Sequence, residues 1–283
     1  MYSQEKQAFR QNLIEFVKTL QEYIATDDNQ WTIKGFIDVF RNIYTISADT
    51  KIVSKLLEIH LFPQILKFAQ EHKYYIVLAE QQNYYPDLTF IKRDDEAIKF
   101  ALDLKTSYRL PENPDFCNGF TLGSHGEYFI NRTSKKNIQF PYSEYHGHFC
   151  LGIIYSRTVS EKTSETQIHN ISELQSISSV IRDFQFFIAE KWEIASDKQG
   201  SSNTANIGSI NKIDDILAGN GVFKNLGEEW FDDYWINYGK ITITSSNGKS
   251  KKITLLRDYL EYRGQNANLA NPMANKPSRK NRK

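Results

Sequence analysis

The order of hydrophobic and polar positions divides the chain into a helical beginning, a strand-rich middle and a mixed end. Residues 4–26 carry apolar side chains at helical spacing, which predicts an amphipathic helix. A second helix is predicted to follow Asp49, and Pro63 is expected to kink or end it. The chain is therefore expected to begin with two helices.

The middle of the chain has the pattern of short strands separated by polar turns. Residues 74–79, 87–91 and 98–105 are rich in β-branched and aromatic side chains, whereas residues 92–96 are polar. The last two strands are therefore predicted to form a hairpin. Further elements are predicted later in the chain, namely strands at 148–155 and 184–194 and helices at 212–218 and 228–238.

Polar stretches interrupt and end this pattern. Residues 106–145 are loop-rich, and residues 200–206 form a run of small polar side chains too long for a tight turn. After Gly264 the sequence is rich in Asn and ends in several basic residues. We expect residues 1–264 to form a single domain and residues 265–283 to form a flexible basic tail.

Composition narrows the class of protein. Of the 283 residues, 40% are hydrophobic and 24% are charged, which is ordinary for a chain that buries a substantial core. The two cysteines are too few for a disulfide framework and suit a reducing cytosol. No apolar run approaches the roughly 18 residues of a spanning helix, so we expect an intracellular protein without a membrane partner. A net charge of +1 neither supports nor excludes nucleic acid as a ligand.

Three charged residues in the expected hairpin carry the candidate chemistry. Asp103 and Lys105 are two positions apart on one strand, so their side chains share a face. Antiparallel pairing around a turn near residues 94–95 places Asp87 opposite residue 102, to within about one position. The three groups are therefore expected to converge at one end of the hairpin.

Such a cluster suits phosphodiester hydrolysis. Two neighbouring carboxylates repel each other, and Mg²⁺ relieves that repulsion while still accepting water and phosphate oxygens as ligands. The cation polarises a phosphoryl group and lowers the pKa of its water, and a lysine can orient the water and stabilise developing charge. The alternative is a solvated strand end, because Asp and Lys two positions apart are common on exposed strand faces.

Several segments resemble the EcoRV restriction endonuclease family, in the same order and over about residues 45–264. The longest are 80–89, with Pro86-Asp87, and 101–108, with Asp103-Leu104-Lys105. The other matching segments are Asp49-Thr50-Lys51 with Glu58 and Pro63, 120–123, 136–138, Lys191-Trp192, 202–210, 233–235 and 262–264.

The resemblance implies an α/β restriction-endonuclease-like fold, with a mixed central sheet flanked by helices. It implies a type II restriction endonuclease that uses Mg²⁺ to cut both strands of a short palindromic DNA site, such as GATATC. Blunt ends with 5′-phosphate and 3′-hydroxyl groups are expected. It also implies a homodimer to which the N-terminal helices contribute, a cognate DNA methyltransferase and a prokaryotic cytoplasm.

The resemblance also implies roles for individual residues. Asp87 and Asp103 are expected to bind metal, Lys105 to be the activating cation, and Glu58 to be an auxiliary catalytic acid and metal ligand, the alternative for Glu58 being a solvated helix position. The catalytic hairpin spans 86–105 and the DNA recognition loop 200–206; the alternative for the loop is a disordered surface loop. The expected DNA contacts are Gln82, Asn83, Thr106, Ser107, Lys136, Gly200, Ser201, Ser202, Asn203 and Thr204.

Two positions depart from the family pattern and leave the DNA site open. Ser202 stands where the family has a second loop glycine, and Ala205 stands in place of a threonine. A side chain at 202 either obstructs the approach of the backbone to a base or adds a hydrogen bond. A structure-specific repair or recombination nuclease of the same fold and a non-catalytic DNA-binding module remain as alternative functions.

Overall fold

A computed structural model describes residues 2–81, 83–158, 167–200, 205–244 and 250–273. Its α-helices are α1 Tyr2–Ile24, α2 Thr50–Glu71, α3 Glu127–Ile130, α4 Lys191–Ile194, α5 Ile213–Leu217, α6 Glu228–Asn237 and α7 Leu256–Tyr262. Its strands are β1 Gly35–Ile37, β2 Asn42–Thr45, β3 Tyr74–Leu78, β4 Leu88–Lys92, β5 Asp95–Leu110, β6 Asn113–Cys117, β7 Thr121–Ser124, β8 Tyr145–Arg157, β9 Ile168–Asn170, β10 Ile181–Glu190, β11 Ala195–Gln199, β12 Asn206–Ser209, β13 Thr242–Thr244 and β14 Ser250–Lys252.

A mixed sheet forms the centre of the fold. Its strands lie in the order β10-β8-β5-β4-β3, and β6 pairs with β5 beside this path. The pair β5–β8 is parallel, and its neighbours in the sheet are antiparallel. Hydrophobic side chains of α1 and α2 pack on one face, and those of α5, α6 and α7 belong to the core on the other. This arrangement confirms the expected α/β class with a central sheet flanked by helices.

The hairpin of β4 and β5 has the register that the sequence predicts. Leu88 pairs with Leu102 and Phe90 with Phe100 in antiparallel β4 and β5. Because residues alternate faces along a strand, this register sets Asp87, just before β4, beside Asp103. The predicted convergence of the charged groups is therefore confirmed at the level of the backbone.

Both N-terminal helices are confirmed. Pro63 was expected to kink or end α2, and the second of these outcomes is wrong. The helix runs on to Glu71 because its apolar side, including Leu57, Leu61 and Ile65, is buried. A proline removes one helical hydrogen bond, that to the carbonyl of Ile59. Ile59 and Pro63 lie on the exposed side of the helix, where water can hydrate the freed carbonyl.

The middle of the chain contains more regular structure than its polarity suggests. Strand β5 continues to Leu110, and β6, β7 and the short α3 lie within the range expected to be loops. The strand expected at 184–194 ends earlier, at Glu190, and four helical residues follow it. A capping box between Glu190 and Glu193 starts this helical turn and so overrides the apolar pattern.

The apolar side of α1 packs against other parts of the same chain. Phe9, Leu13 and Leu20 are fully buried against the central sheet and α2. None of the helices in the described parts of the chain is both long and apolar enough to cross a membrane.

Candidate active site

The carboxylates of Asp87 and Asp103 are interlocked through the backbone of the hairpin. The backbone N–H of Asp87 donates a hydrogen bond to Oδ1 of Asp103 at 3.2 Å. The backbone N–H of Leu104 donates to Oδ2 of Asp87 at 2.8 Å. Each acid is therefore held by the backbone of the segment that carries the other, which fixes the two carboxylates relative to each other.

Lys105 lies beside this pair, as its position in the strand predicts. Its Nζ is 3.1 Å from Oδ2 of Asp103, and its side chain is 22% exposed against 4% for Asp103. The aspartate is thus enclosed by protein, whereas the lysine reaches the solvent side of the cluster. The three groups proposed from the sequence are brought together at one end of the hairpin.

The two aspartates have different electrostatic environments. Burial and the charge of Asp103 raise the pKa of Asp87 to about 6. Burial acts in the same direction on Asp103, but the charges of Lys105 and Lys191 prevail and hold the pKa of Asp103 below its usual value. Burial lowers the pKa of the Lys105 ammonium, but the negative charges of Asp103 and Asp87 raise it more, so that it lies above its usual value. The pair is therefore short of positive charge at Asp87, where the cluster opens to solvent.

This donor set fits one hard divalent cation. Mg²⁺ is usually bound by one or two carboxylates and completes its shell with water and phosphate oxygens. No group of three or more His, Cys, Asp or Glu residues able to hold a metal occurs in the part of the chain that the structure describes. A cation at this pair would therefore keep several positions for water and substrate.

Glu58 lies in the same cleft but does not join the pair. It lines the cleft from α2, and its negative charge contributes only weakly to the raised pKa of Asp87. Its carboxylate instead pairs with Nζ of Lys55 at 2.7 Å, and its side chain is 41% exposed. A role for Glu58 as auxiliary acid or metal ligand stays a prediction.

An open cleft of about 820 Å³ lies in front of the charged cluster. Asp87, Lys105, Thr106 and Ser107 are among its lining residues. The hydroxyl of Ser107 is buried and has no hydrogen-bond partner among the described residues. A polar group left in this state suits contact with a ligand that occupies the cleft.

A second cleft of about 530 Å³ adjoins the first and shares residues 118–121 with it. Gly200 lines this second cleft, and its backbone N–H donates to the carbonyl of Asn206 at 2.9 Å, which closes the base of the expected recognition loop. The two clefts together run from Asp87 to Gly200, where that loop begins.

The structure describes only some of the other residues that are expected to contact DNA. Gln82 and residues 201–204 lie outside the described residues. Asn83 is exposed, and Lys136 is an exposed residue whose ammonium pairs with Glu127 at 2.8 Å. Asn83 and Lys136 are not among the residues that line the two clefts. All of these DNA contacts stay predictions.

Lys191 is a member of the charged cluster to which the sequence assigned no role. Its Nζ lies 3.7 Å from Oδ2 of Asp103 and 3.6 Å from the centre of the Tyr85 ring. Burial lowers the pKa of Lys191, and the charge of Asp103 opposes that shift. Fully buried lysines are rare, so a lysine at the end of an apolar segment was the available signal.

Two comparisons show which known proteins the chain resembles over most of its length. The family model described as Restriction endonuclease EcoRV matches residues 27–264. The type II restriction enzyme EcoRV of Escherichia coli is 37% identical over 241 residues, which cover 84% of this chain and 95% of the relative.

Proposed function

The chain belongs to the EcoRV restriction endonuclease family, and from that premise we propose that it is a Mg²⁺-dependent enzyme that cuts both strands of GATATC. Membership makes the chain a type II restriction endonuclease, which is a site-specific deoxyribonuclease. The cation, the DNA sequence and the products are the parts that we propose. The observation that carries the proposal is the convergence of Asp87, Asp103 and Lys105 at the edge of an open cleft of about 820 Å³.

The acids and the lysine have separate tasks in this reaction. Asp87 and Asp103 would hold the cation, since hydrogen bonds already fix their carboxylates side by side. The cation supplies a Lewis acid that polarises the phosphoryl group and makes its water more acidic. Lys105 reaches the cleft, so its ammonium can orient the attacking water and stabilise the charge that builds on the phosphate oxygens.

The proposed products follow from an in-line displacement. The oxygen of water forms a new bond to phosphorus while the bond from phosphorus to the 3′ oxygen breaks. The water loses a proton and the leaving 3′ oxygen gains one, which gives a 5′-phosphate and a 3′-hydroxyl. Cuts at the centre of the palindrome on both strands would leave blunt ends.

Digestion of a sequenced plasmid with a single GATATC site tests this proposal. With Mg²⁺ we expect one linear product with blunt ends, and with EDTA we expect intact plasmid. Discrete cuts at another sequence would overturn GATATC but keep the class of enzyme. Cleavage confined to forked DNA would favour a structure-specific nuclease, and binding without any cleavage would favour a non-catalytic DNA-binding module.

The proposed reaction requires a second copy of the chain. A palindrome presents the same half-site twice, and a twofold dimer places one catalytic centre on each strand. An exposed apolar surface on β1, β2 and β9, together with the turn between β1 and β2, suits this contact. Its large side chains are Phe36, Ile37, Val39, Phe40, Tyr44 and Ile168.

The turn at this surface is held in shape before any partner binds. Val39 is 90% exposed and Phe40 is 80% exposed. Oδ1 of Asp38 accepts hydrogen bonds from the backbone N–H groups of Phe40 at 2.8 Å and Asn42 at 2.9 Å. Two exposed apolar side chains on an ordered turn are typical of a contact surface, because little freedom is lost on binding. The contribution of the N-terminal helices to the dimer stays a prediction.

Phe40→Asp is expected to convert the protein into a monomer. Loss of about 1.5 kcal/mol or more from each of two symmetry-related copies weakens dimerisation at least about 100-fold. Light scattering after gel filtration measures the mass, and Tyr262→Asp is the matched control, because Tyr262 is 54% exposed and lies outside this surface. A dimer that persists in Phe40→Asp would exclude this turn from the interface.

A nuclease that cleaves short palindromic sites would also cleave the DNA of its own cell. We therefore propose that it acts in a prokaryotic cytoplasm together with a DNA methyltransferase that modifies the same site. Plasmid isolated from a host that also expresses this methyltransferase should resist digestion.

A further inference from the structure

Lys191 approaches Asp103 from inside the protein. The Lys191 side chain is 5% exposed, and its ammonium lies between the Tyr85 ring and Oδ2 of Asp103. The hydroxyl of Tyr85 is itself fixed by a 2.8 Å hydrogen bond to Nδ1 of the buried His148. The Lys191 ammonium therefore packs against the face of a tyrosine ring that is itself held by a hydrogen bond.

Two acids anchor the short helix that begins with Lys191, namely Glu190 at its N-cap and Glu193 within it. The backbone N–H of Glu190 donates to Glu193 at 2.8 Å within the capping box. Lys6 pairs with Glu190, and Nη2 of Arg10 is 2.8 Å from Glu193. Both cations belong to α1, which precedes the residues 27–264 that match the family. The N-terminal helix thus helps to hold Lys191 in place.

The two lysines at Asp103 differ in their access to substrate. Lys105 lines the large cleft, whereas Lys191 and Asp103 are not among its lining residues. Both ammonium groups face Oδ2 of Asp103, at 3.1 Å for Lys105 and 3.7 Å for Lys191. If Lys105 turns towards a phosphate in the cleft, Lys191 remains as a positive neighbour of the aspartate.

We propose that Lys191 is a positioning residue that stays beside Asp103 as its counter-charge, so that Lys105 is free to engage the phosphate. This inference rests on the proposed function, because it assumes that Asp103 binds the cation and that Lys105 contacts the substrate. Lys191 itself touches neither the substrate nor the cation in this role. It fixes the carboxylate and weakens its hold on Lys105.

A counter-charge beside Asp103 has a consequence that a packing role lacks. A fixed positive charge beside a cation site repels the cation, so its removal should tighten cation binding. Without the charge of Lys191, Lys105 is the remaining lysine at Asp103. Asp103 should then hold Lys105 away from the phosphate and so slow cleavage. The affinity for the cation is therefore expected to rise while the cleavage rate falls. A site that had merely lost its shape would instead show both weaker cation binding and slower cleavage.

Lys191→Met tests this directly, because methionine fills similar buried space without a charge. By calorimetry on the DNA-free protein, we expect Mn²⁺ to bind about 10-fold more tightly than to the wild type. Under single-turnover conditions with saturating Mg²⁺, we expect cleavage to be about 100-fold slower. Weaker Mn²⁺ binding together with slow cleavage, or an unchanged rate, would overturn the proposal.

Lys99→Met is the matched control on the strand that carries Asp103. Lys99 also pairs with an acid, Glu144 at 3.2 Å, is 13% exposed and lies over the ring of Phe140. Its removal should change neither Mn²⁺ binding nor the cleavage rate. The wild type is measured first, since its failure to bind Mn²⁺ or to cut DNA would count against the proposed function rather than against Lys191.

Thermal unfolding monitored by circular dichroism verifies that each variant is folded. If Lys191→Met does not fold, Lys191→Gln removes the charge and keeps a polar group, and the same opposite changes are expected. Failure of both neutral variants to fold, with Lys99→Met folded, would assign Lys191 to the stability of the core and overturn the positioning role.

Discussion

Asp87→Asn is expected to reduce Mg²⁺-supported DNA cleavage at least about 1000-fold, which corresponds to about 4 kcal/mol of lost transition-state stabilisation. The amide oxygen can still accept the hydrogen bond that Leu104 donates to Asp87, so the backbone of the hairpin should be unchanged. What the variant loses is one of the two negative charges that attract the cation. Single-turnover cleavage of a short duplex at saturating protein measures the effect.

The same variant should be more stable than the wild type when no divalent ion is present. Burial and the charge of Asp103 raise the pKa of Asp87 to about 6, above its value in the unfolded chain. The ionised carboxylate therefore destabilises the folded protein at pH 8. This cost decreases as the pH falls below 6 and is gone below the pKa of the unfolded chain, which is about 4. Removing it should add about 1–2 kcal/mol to the free energy of unfolding at pH 8.

Asp94→Asn is the matched control for this substitution. Asp94 lies in the turn of the same hairpin, is 68% exposed and is 3.6 Å from Lys92. It should cleave DNA and unfold like the wild type. If Asp87→Asn kept a normal cleavage rate while Asp94→Asn behaved as expected, Asp87 would have no part in the catalytic centre.

Phe9→Ala is expected to lower the free energy of unfolding by about 3–5 kcal/mol. Phe9 is fully buried, and its ring stacks on that of Phe100 with centroids 4.2 Å apart and planes inclined by 7°. Phe90 and Phe149 also pack against it, on the face of the sheet opposite the charged cluster. The loss is a large share of the 5–15 kcal/mol that typically stabilises a folded protein. Urea denaturation at equilibrium measures it.

Phe16→Ala provides the comparison within the same helix. Phe16 is only partly buried, and its ring contacts Phe68 at 5.0 Å. Its loss should therefore cost clearly less than that of Phe9. Equal and small effects of both substitutions would mean that α1 is not an integral part of the core, contrary to its packing in the structure.

The hairpin was predictable from sequence because two local signals agree there. Alternating apolar residues specify which strand face is buried, and the polar turn near Asp94 fixes the pairing to within one position. That register, with Leu88 opposite Leu102, is what brings Asp87 to Asp103. The candidate catalytic residues were identified from this spacing together with the resemblance to a known family.

Other parts of the fold depend on tertiary contacts that no local pattern contains. Helix α2 continues through Pro63 because its buried side packs on the sheet. The end of β10 depends on a capping box whose acids are paired with cations of α1, more than 170 residues away. The role of Lys191 was hidden for the same reason, since its contact with Asp103 exists only after the sheet and α4 have formed.

Diffraction from crystals soaked in Mn²⁺, measured at the manganese absorption edge, tests the central claim most directly. The account predicts one strong anomalous peak within coordinating distance of a carboxylate oxygen of both Asp87 and Asp103, with Lys105 beside it. A peak that touches neither carboxylate, or one bound to Glu58 alone, would contradict it.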